Sequence, residues 1–130
     1  MDSHAVKTIF LAEGENHVRA ALRLQIELLA EYQISGEADH TEGLLAQVCQ
    51  QPPDILLLDW HLPGINPHRL IQTLRKHCPD TILVATSVKP EDQKSAISFG
   101  MDEFLSKQHS PADFITRLLE INSRKRKEET

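Results

Sequence analysis

Short apolar runs alternate five times with segments of helical periodicity along this chain. The third run, residues 55–58, is apolar on both faces, which is typical of a central parallel strand covered by helices. Short joints connect each strand to a helix, so the pattern predicts an α/β fold with an open parallel sheet between two helical layers. The five predicted strands are residues 8–12, 32–35, 55–58, 82–85 and 104–105.

Apolar spacing, capping residues and helix breakers predict a helix after each strand. The first covers residues 16–31, with apolar side chains recurring at helical intervals from Val18 to Leu29. Asn66 can cap the third, and Gly100 can end the fourth. The remaining boundary signals are Thr41 and Pro52 for the second helix, Pro67 for the third, residues 90–92 for the fourth and residues 110–113 for the fifth.

Composition favours one globular domain. Hydrophobic residues make up 40% and charged residues 25% of 130 residues, and a chain of this length buries about two-thirds of its unfolded surface. The net charge of −5 is unfavourable for direct nucleic-acid binding. No apolar run approaches the roughly 18 residues of a membrane span, and the first residues lack a secretory signal pattern. With only two cysteines and no CxxC motif, we expect a cytoplasmic location.

The C-terminal end differs from the rest in charge. Residues 124–127 are four consecutive cations, followed by Glu128 and Glu129. We therefore predict a domain over residues 5–123 and a basic tail or linker stub over residues 124–130. Without interleaved aromatic residues, the run favours the solvated end of a helix over a nucleic-acid contact.

Chemically active side chains follow four of the predicted strands. Ligands of open parallel sheets bind beyond the carboxyl ends of the strands. The residues at those places are Glu13, Asp59, Thr86 with Ser87, and Lys107. A carboxylate such as Asp59 can attack a phosphoryl group to form an acyl phosphate. Lys107 would neutralise one phosphoryl oxygen, and Thr86 would hydrogen-bond another.

A divalent cation would assist this attack, because it brings two anions together. Mg²⁺ prefers oxygen ligands and retains several waters. Asp59 is one candidate ligand, and Glu13 is a second. Glu13 is equally well interpreted as a solvated loop acid.

Three segments of the chain resemble the receiver domain of two-component response regulators. Residues 54–64 are similar to the phosphoacceptor strand and its loop, residues 82–87 to the fourth strand with a switch hydroxyl, and residues 100–107 to the fifth strand with a switch aromatic and a lysine. The resemblance covers residues 7 to about 123 and implies a flavodoxin-like three-layer sandwich with strand order 2-1-3-4-5. Residues 36–38 and the helix after them are most similar to receivers of LuxR-type and NarL-type regulators.

The resemblance implies a phosphorylation-dependent switch. Asp59 would accept a phosphoryl group from a sensor histidine kinase or a phosphotransfer protein. Lys107 and Thr86 would assist this chemistry, and both would bind the phosphoryl group together with Ser87. The chemistry would be limited to self-phosphorylation and self-dephosphorylation, so the chain would not be an enzyme.

The resemblance also implies a cofactor and a route for the signal. Mg²⁺ would be held by Glu13, Asp59 and the backbone carbonyl of His61. Thr86 and Phe104 would change position together and alter a partner surface. Receivers often form homodimers through the face of the fourth helix, fifth strand and fifth helix. A DNA-binding output domain, common in the relatives, does not follow in these 130 residues.

Two positions depart from the family pattern. The family has two adjacent acids after the first strand, whereas this chain has Glu13 and Gly14. Gly14 has no side-chain oxygen, which weakens Mg²⁺ affinity, and we expect Gly14→Asp to restore a ligand. Gln108 stands where the family has a proline after a cis bond. A cis bond before another residue costs about 2.5–4 kcal/mol, so we expect a trans bond or a reshaped loop that displaces Lys107.

These departures leave two alternatives. One is a pseudo-receiver that acts as a phosphorylation-independent interaction module, favoured by the Glu13–Gly14 pair. The other is a phosphate-transferring or hydrolysing enzyme of the haloacid dehalogenase type, which needs a second aspartate where this chain has His61. Trp60 also has two interpretations, an exposed docking residue or a side chain folded onto its loop.

Overall fold

The chain alternates regularly between strand and helix in the computed structural model, which describes residues 6–108 and 110–129, with side chains through residue 121 except that of Pro111. The elements are β1 (Lys7–Ala12), α1 (Asn16–Glu27), β2 (Tyr32–Ala38), α2 (Thr41–Val48), β3 (Ile55–Asp59), α3 (Pro67–His77), β4 (Ile82–Ser87), α4 (Asp92–Phe99), β5 (Glu103–Ser106) and α5 (Pro111–Glu129).

The five strands form one parallel sheet in the order β2-β1-β3-β4-β5. β3 lies in the middle, where Leu58 pairs with Ala12 of β1 on one side and Ala85 of β4 on the other. The predicted flavodoxin-like fold and its strand order are therefore confirmed.

Both faces of the sheet are covered by helices. Leu56 and Leu58 of β3 pack with side chains of α2, α3 and α4, while Ile55 and Leu57 pack with side chains of α1 and α5. Successive strand residues point to opposite faces, so an unbroken apolar run is needed in a strand buried on both sides. This packing fixes the carboxyl end of β3, where Asp59 lies, between two ordered neighbours.

Several predicted boundaries differ from the structure, and those of α1 and β2 show the physical reasons most clearly. α1 ends at Glu27 rather than at residue 31, because the chain turns there: Leu29 N–H donates to the Ile26 carbonyl and Tyr32 N–H to the Leu29 carbonyl. β2 continues beyond residue 35 to Ala38, because an irregularity between Ile9 and Phe10 lets pairing with β1 resume. Gly36 is required there, since a Cβ would lie 2.7 Å from the Phe10 ring.

The predicted helix caps are confirmed. The Asn66 side chain accepts a hydrogen bond from Arg69 N–H, with Pro67 in the first turn of α3. Gly100 ends α4 with φ of 113°, in the left-handed region that glycine adopts without steric cost. The Ser110 hydroxyl accepts a hydrogen bond from Asp113 N–H in the first turn of α5. These caps set where each helix starts or ends relative to the sheet.

The predicted boundary at residue 123 lies within α5, whose backbone continues to Glu129. The division into a domain and a tail stays a prediction, and its outer limits, residues 5 and 130, lie outside the described residues. Within the described part of the chain, no helix has both the length and the apolar character needed to cross a membrane.

Candidate functional site

The predicted site residues meet at the carboxyl edge of the sheet. Asp59 is the last residue of β3 and pairs in register with Thr86 of β4. Glu13 directly follows β1, and Lys107 directly follows β5. Parallel strands end at the same edge, which brings together residues that are far apart in sequence.

A buried ion-pair cluster occupies the centre of this edge. Lys107 Nζ donates to Glu13 Oε1 at 2.9 Å and lies 3.3 Å from Asp59 Oδ1. Only 12% of the Lys107 side chain is exposed, and Glu13 and Asp59 are buried. Charges interact more strongly when water is excluded. Because the largely buried Lys107 lies within 3.3 Å of Asp59, its ammonium strongly stabilises the negative charge of that carboxylate.

Glu13 is buried and does not behave as a solvated loop acid. Burial raises the pKa of its carboxyl, although the hydrogen bond from Lys107 opposes the rise, and the nearby charge of Asp59 adds to it. Its backbone carbonyl accepts a hydrogen bond from the Arg19 guanidinium at 2.7 Å, which anchors the segment to α1.

Backbone hydrogen bonds hold the Asp59 carboxylate in place. His61 N–H donates to Oδ1 at 3.0 Å, and Gly14 N–H approaches Oδ2 at 3.3 Å. Trp60 N–H donates to the Thr86 carbonyl at 2.8 Å and ties the loop after β3 to β4. The carboxylate is therefore oriented by main-chain groups as well as by Lys107.

The expected displacement of Lys107 does not occur. No cis peptide bond is found in residues 6–108 and 110–129, so Lys107 and Gln108 are joined by a trans bond. Lys107 N–H donates to the Ser87 carbonyl at 2.8 Å, which extends the pairing of β5 with β4 and delivers the ammonium to the site.

Ser87 was predicted to bind phosphate, but its hydroxyl contacts α4. Ser87 Oγ donates to Asp92 Oδ2 at 2.6 Å and accepts a hydrogen bond from Lys89 N–H. The same Asp92 oxygen lies 2.7 Å from His61 Nε2. Sequence reasoning missed Asp92, which it treated only as a helix start; its position in the first turn of α4 was the available signal. This cluster connects the phosphoacceptor loop to α4.

We expect Asp92→Asn to lower the free energy of unfolding by about 1–2 kcal/mol at neutral pH. The hydrogen bond from Ser87 and the contact with His61 hold the pKa of Asp92 below its ordinary value. A lowered folded-state pKa stabilises the fold above the unfolded pKa of about 3.9, and the stabilisation is lost as pH falls through the folded pKa.

The measurement is urea denaturation of wild type and variant across this pH range. The difference between them should be present at neutral pH and disappear in acid, below the folded-state pKa of Asp92. Asp80→Asn, at an exposed position, is the matched control. A difference that stays constant with pH would show that the charge on Asp92 is not responsible.

The predicted switch residues lie beside the site. Thr86 is buried at the end of β4, and the partly buried Phe104 packs against the core cluster that contains Trp60. Trp60 is itself buried, with its ring 6.1 Å from that of Phe99 in α4. Of the two interpretations of Trp60, the structure supports the side chain folded onto its surroundings.

The donors present do not fit a receiver-type Mg²⁺ site. No group of three or more His, Cys, Asp or Glu side chains suited to hold a metal occurs among residues 6–108 and 110–129, judged on the side chains described. Gly14 provides no oxygen, and a Cβ there would lie 3.0 Å from Pro63 Cδ. Of the predicted ligand set, Glu13 and Asp59 both lie beside Lys107, and the hydrogen bond from Lys107 is to Glu13, which leaves Asp59 and the His61 carbonyl as the remaining donors.

A five-stranded parallel sheet with an aspartate at the end of its middle strand and a lysine after its last strand defines a receiver-type α/β protein. The chain belongs to the response regulator receiver domain family, whose model matches residues 9–119. Members of this family are signalling domains, and they generally bind Mg²⁺. Because the chain belongs to the receiver family, we do not retain the haloacid dehalogenase alternative.

Two curated relatives are transcriptional regulators. The phosphate regulon regulatory protein PhoB of Pseudomonas aeruginosa is 30% identical over 116 residues, which cover 86% of this chain and 50% of PhoB. The nitrate/nitrite response regulator NarL of Escherichia coli is 28% identical, over 91% of this chain and 56% of NarL. The chain thus spans about half the length of these relatives.

Solved receiver structures share the fold. A LuxR-family DNA-binding response regulator from Staphylococcus aureus superposes with a TM-score of 0.78 at 18% identity, covering 90% of this chain and 99% of that one. The receiver domain of AraT from Geobacillus stearothermophilus gives 0.77 at 19% identity, covering 96% and 99%. At these identities the likeness shows the fold alone.

Proposed function

We propose that this chain is a phosphorylation-dependent signalling switch whose phosphoacceptor is Asp59. The observation that supports this most directly is the 3.3 Å separation of Lys107 Nζ from Asp59 Oδ1 at the carboxyl edge of the sheet. A cation fixed at that position can stabilise the charge that develops on a transferred phosphoryl group.

The contacts of the Asp59 carboxylate indicate which of its two oxygens attacks the phosphoryl group. Asp59 Oδ1 is held by Lys107 and by His61 N–H, whereas Oδ2 has the longer contact with Gly14 N–H. Oδ2 is the nucleophile: it forms a bond to phosphorus as the phosphorus–nitrogen bond of a phosphohistidine breaks, and the imidazole keeps that electron pair. The product is an aspartyl phosphate, with Lys107 beside it.

The added charge changes the surroundings of the phosphoryl group. Thr86 turns its hydroxyl toward a phosphoryl oxygen, and Phe104 fills the space that this movement leaves. The hydrogen bond that Asp92 accepts from Ser87 and its contact with His61 transmit the change to α4. A two-state packing of α4 and β5 then exposes or hides a partner surface.

The partners of the switch follow from the family. A sensor histidine kinase or a phosphotransfer protein supplies the phosphoryl group, and a second copy of the chain can pair through α4, β5 and α5. A DNA-binding domain is a candidate output, as in the LuxR-family DNA-binding response regulator from Staphylococcus aureus. We place the chain in the cytoplasm, where response regulators typically act, and limit its own chemistry to gaining and losing the phosphoryl group.

A pseudo-receiver is the second candidate. The Glu13–Lys107 pair and the missing acid at Gly14 favour it, because they provide a closed polar site that is stable without phosphate. In this alternative the surface near α4 is constant, and partners bind regardless of Asp59.

The two candidates are separated by incubating the protein with acetyl phosphate and measuring its intact mass. We expect the mass gain of one phosphoryl group in wild type, none in Asp59→Asn, and an unchanged gain in the exposed control Asp80→Asn. Each reaction is run with Mg²⁺ and with EDTA. No gain in wild type under either condition would leave the pseudo-receiver as the function.

A further inference from the structure

We infer that the Lys107 ammonium serves as the resident cation of this site and excludes Mg²⁺ from the resting protein. The inference rests on the proposed function only for its consequence, which is that Asp59 is phosphorylated equally well without Mg²⁺. It rests otherwise on three features of the site: the pairing of Glu13, the packing around Gly14 and the charge balance.

Glu13 has no carboxylate oxygen left without a protein partner. Oε1 accepts a hydrogen bond from Lys107 at 2.9 Å, and Oε2 accepts one from Glu15 N–H at 3.1 Å. Arg19 also binds its backbone carbonyl. A metal ion at Glu13 would compete with the Lys107 ammonium, and displacing that partner would leave a buried charge uncompensated.

Pro63 fills the space beside Gly14. A Cβ on Gly14 would approach Pro63 Cδ to 3.0 Å and Asp59 Oδ2 to 3.6 Å. The Pro63 carbonyl accepts hydrogen bonds from both the backbone N–H and the hydroxyl of Thr41, so α2 holds this loop in place. Gly14→Asp alone therefore meets a fixed neighbour, and the expectation that this substitution restores a ligand needs Pro63 to be changed as well.

Half of the negative charge at the site is already compensated. Two buried carboxylates, Glu13 and Asp59, share one ammonium within 3.3 Å. Mg²⁺ gives up water reluctantly and binds well only where several oxygens can take its place. To bind at this site, Mg²⁺ would have to displace the Lys107 ammonium. It would obtain only two protein ligands in return, the Asp59 carboxylate and the His61 carbonyl.

The test is a Mg²⁺ titration that uses Trp60 as its reporter. Trp60 is the only tryptophan of the chain, adjoins Asp59, and is tied to the Thr86 carbonyl. We expect no saturable change in its fluorescence with millimolar Mg²⁺ in wild type, relative to NaCl of equal ionic strength. We expect a saturable change in two variants, Lys107→Met and Gly14→Asp/Pro63→Ala, because one frees the two carboxylates and the other adds a third.

Melting temperature gives a second readout if either variant is poorly folded, since Mg²⁺ that binds the folded state raises it. Saturable Mg²⁺ binding in wild type that Asp59→Asn removes overturns the inference, as does failure of both variants to bind. Acetyl phosphate labelling that requires Mg²⁺ also overturns it. If labelling is absent with and without Mg²⁺ while the titrations give the expected result, the proposed function fails and the inference stands.

Discussion

Lys107→Met should lower the free energy of unfolding by roughly 3–5 kcal/mol at neutral pH, the range for removing one partner of a buried ion pair. Methionine keeps most of the apolar stem and removes the ammonium, with its charge and its hydrogen bond to Glu13. Glu13 and Asp59 are then left as two neighbouring buried carboxylates without the cation that lies within 3.3 Å of both. Urea denaturation, with the midpoint and slope fitted together, gives the value.

A second substitution should recover much of the loss. Glu13→Gln/Lys107→Met removes one of the two negative charges, and the amide can still accept the hydrogen bond from Glu15 N–H. The loss in the single variant should also shrink as pH falls, because the raised pKa of Glu13 lets its carboxyl bind a proton and lose its charge. Lys94→Met, at an exposed position of α4, should change stability by no more than about 0.5 kcal/mol.

Two results would contradict this account of the site. One is a single Lys107 variant as stable as wild type, since it would mean that water or a rearranged loop compensates the carboxylates. The other is a double variant no more stable than the single one. Either would also remove the electrostatic reason for placing a phosphoryl group beside Lys107.

The position of the site could be predicted because it depends on backbone topology. Once the alternation of strands and helices indicated a parallel sheet, the carboxyl ends of the strands had to meet, and Asp59 and Lys107 were assigned to one edge without any tertiary information. The continuous apolar run of residues 55–58 identified the middle strand, and capping residues such as Asn66 located helix ends.

Side-chain direction and local turns could not be predicted in the same way. Whether Glu13 faces water or Lys107 depends on the loop after β1, and no spacing rule describes that loop. Ser87 was predicted only to bind phosphate, and its contact with Asp92 could not be predicted because it depends on where α4 begins in space. The early end of α1 was hidden because Leu28 and Leu29 continue its apolar pattern past the turn.

Truncating either face of β3 should be nearly as damaging as removing Lys107. Leu57 packs against α1 and α5, while Leu58 packs against the helices of the opposite layer, and both are buried. We expect Leu57→Ala and Leu58→Ala each to cost roughly 2–5 kcal/mol, from lost burial and from the cavity left behind. Urea denaturation of the two variants measures how much the packing of each helical layer on β3 contributes to the free energy of unfolding.

Leu24→Ala is the matched control, because this leucine of α1 is 60% exposed and should change stability by no more than about 0.5 kcal/mol. The comparison tests the physical basis of the fold, which is a strand buried on both sides. A large loss at only one of the two β3 positions would mean that one helical layer contributes little, as in a sheet with one solvated face. Comparable losses at both would mean that β3, which ends at Asp59, is held in place by two packed helical layers.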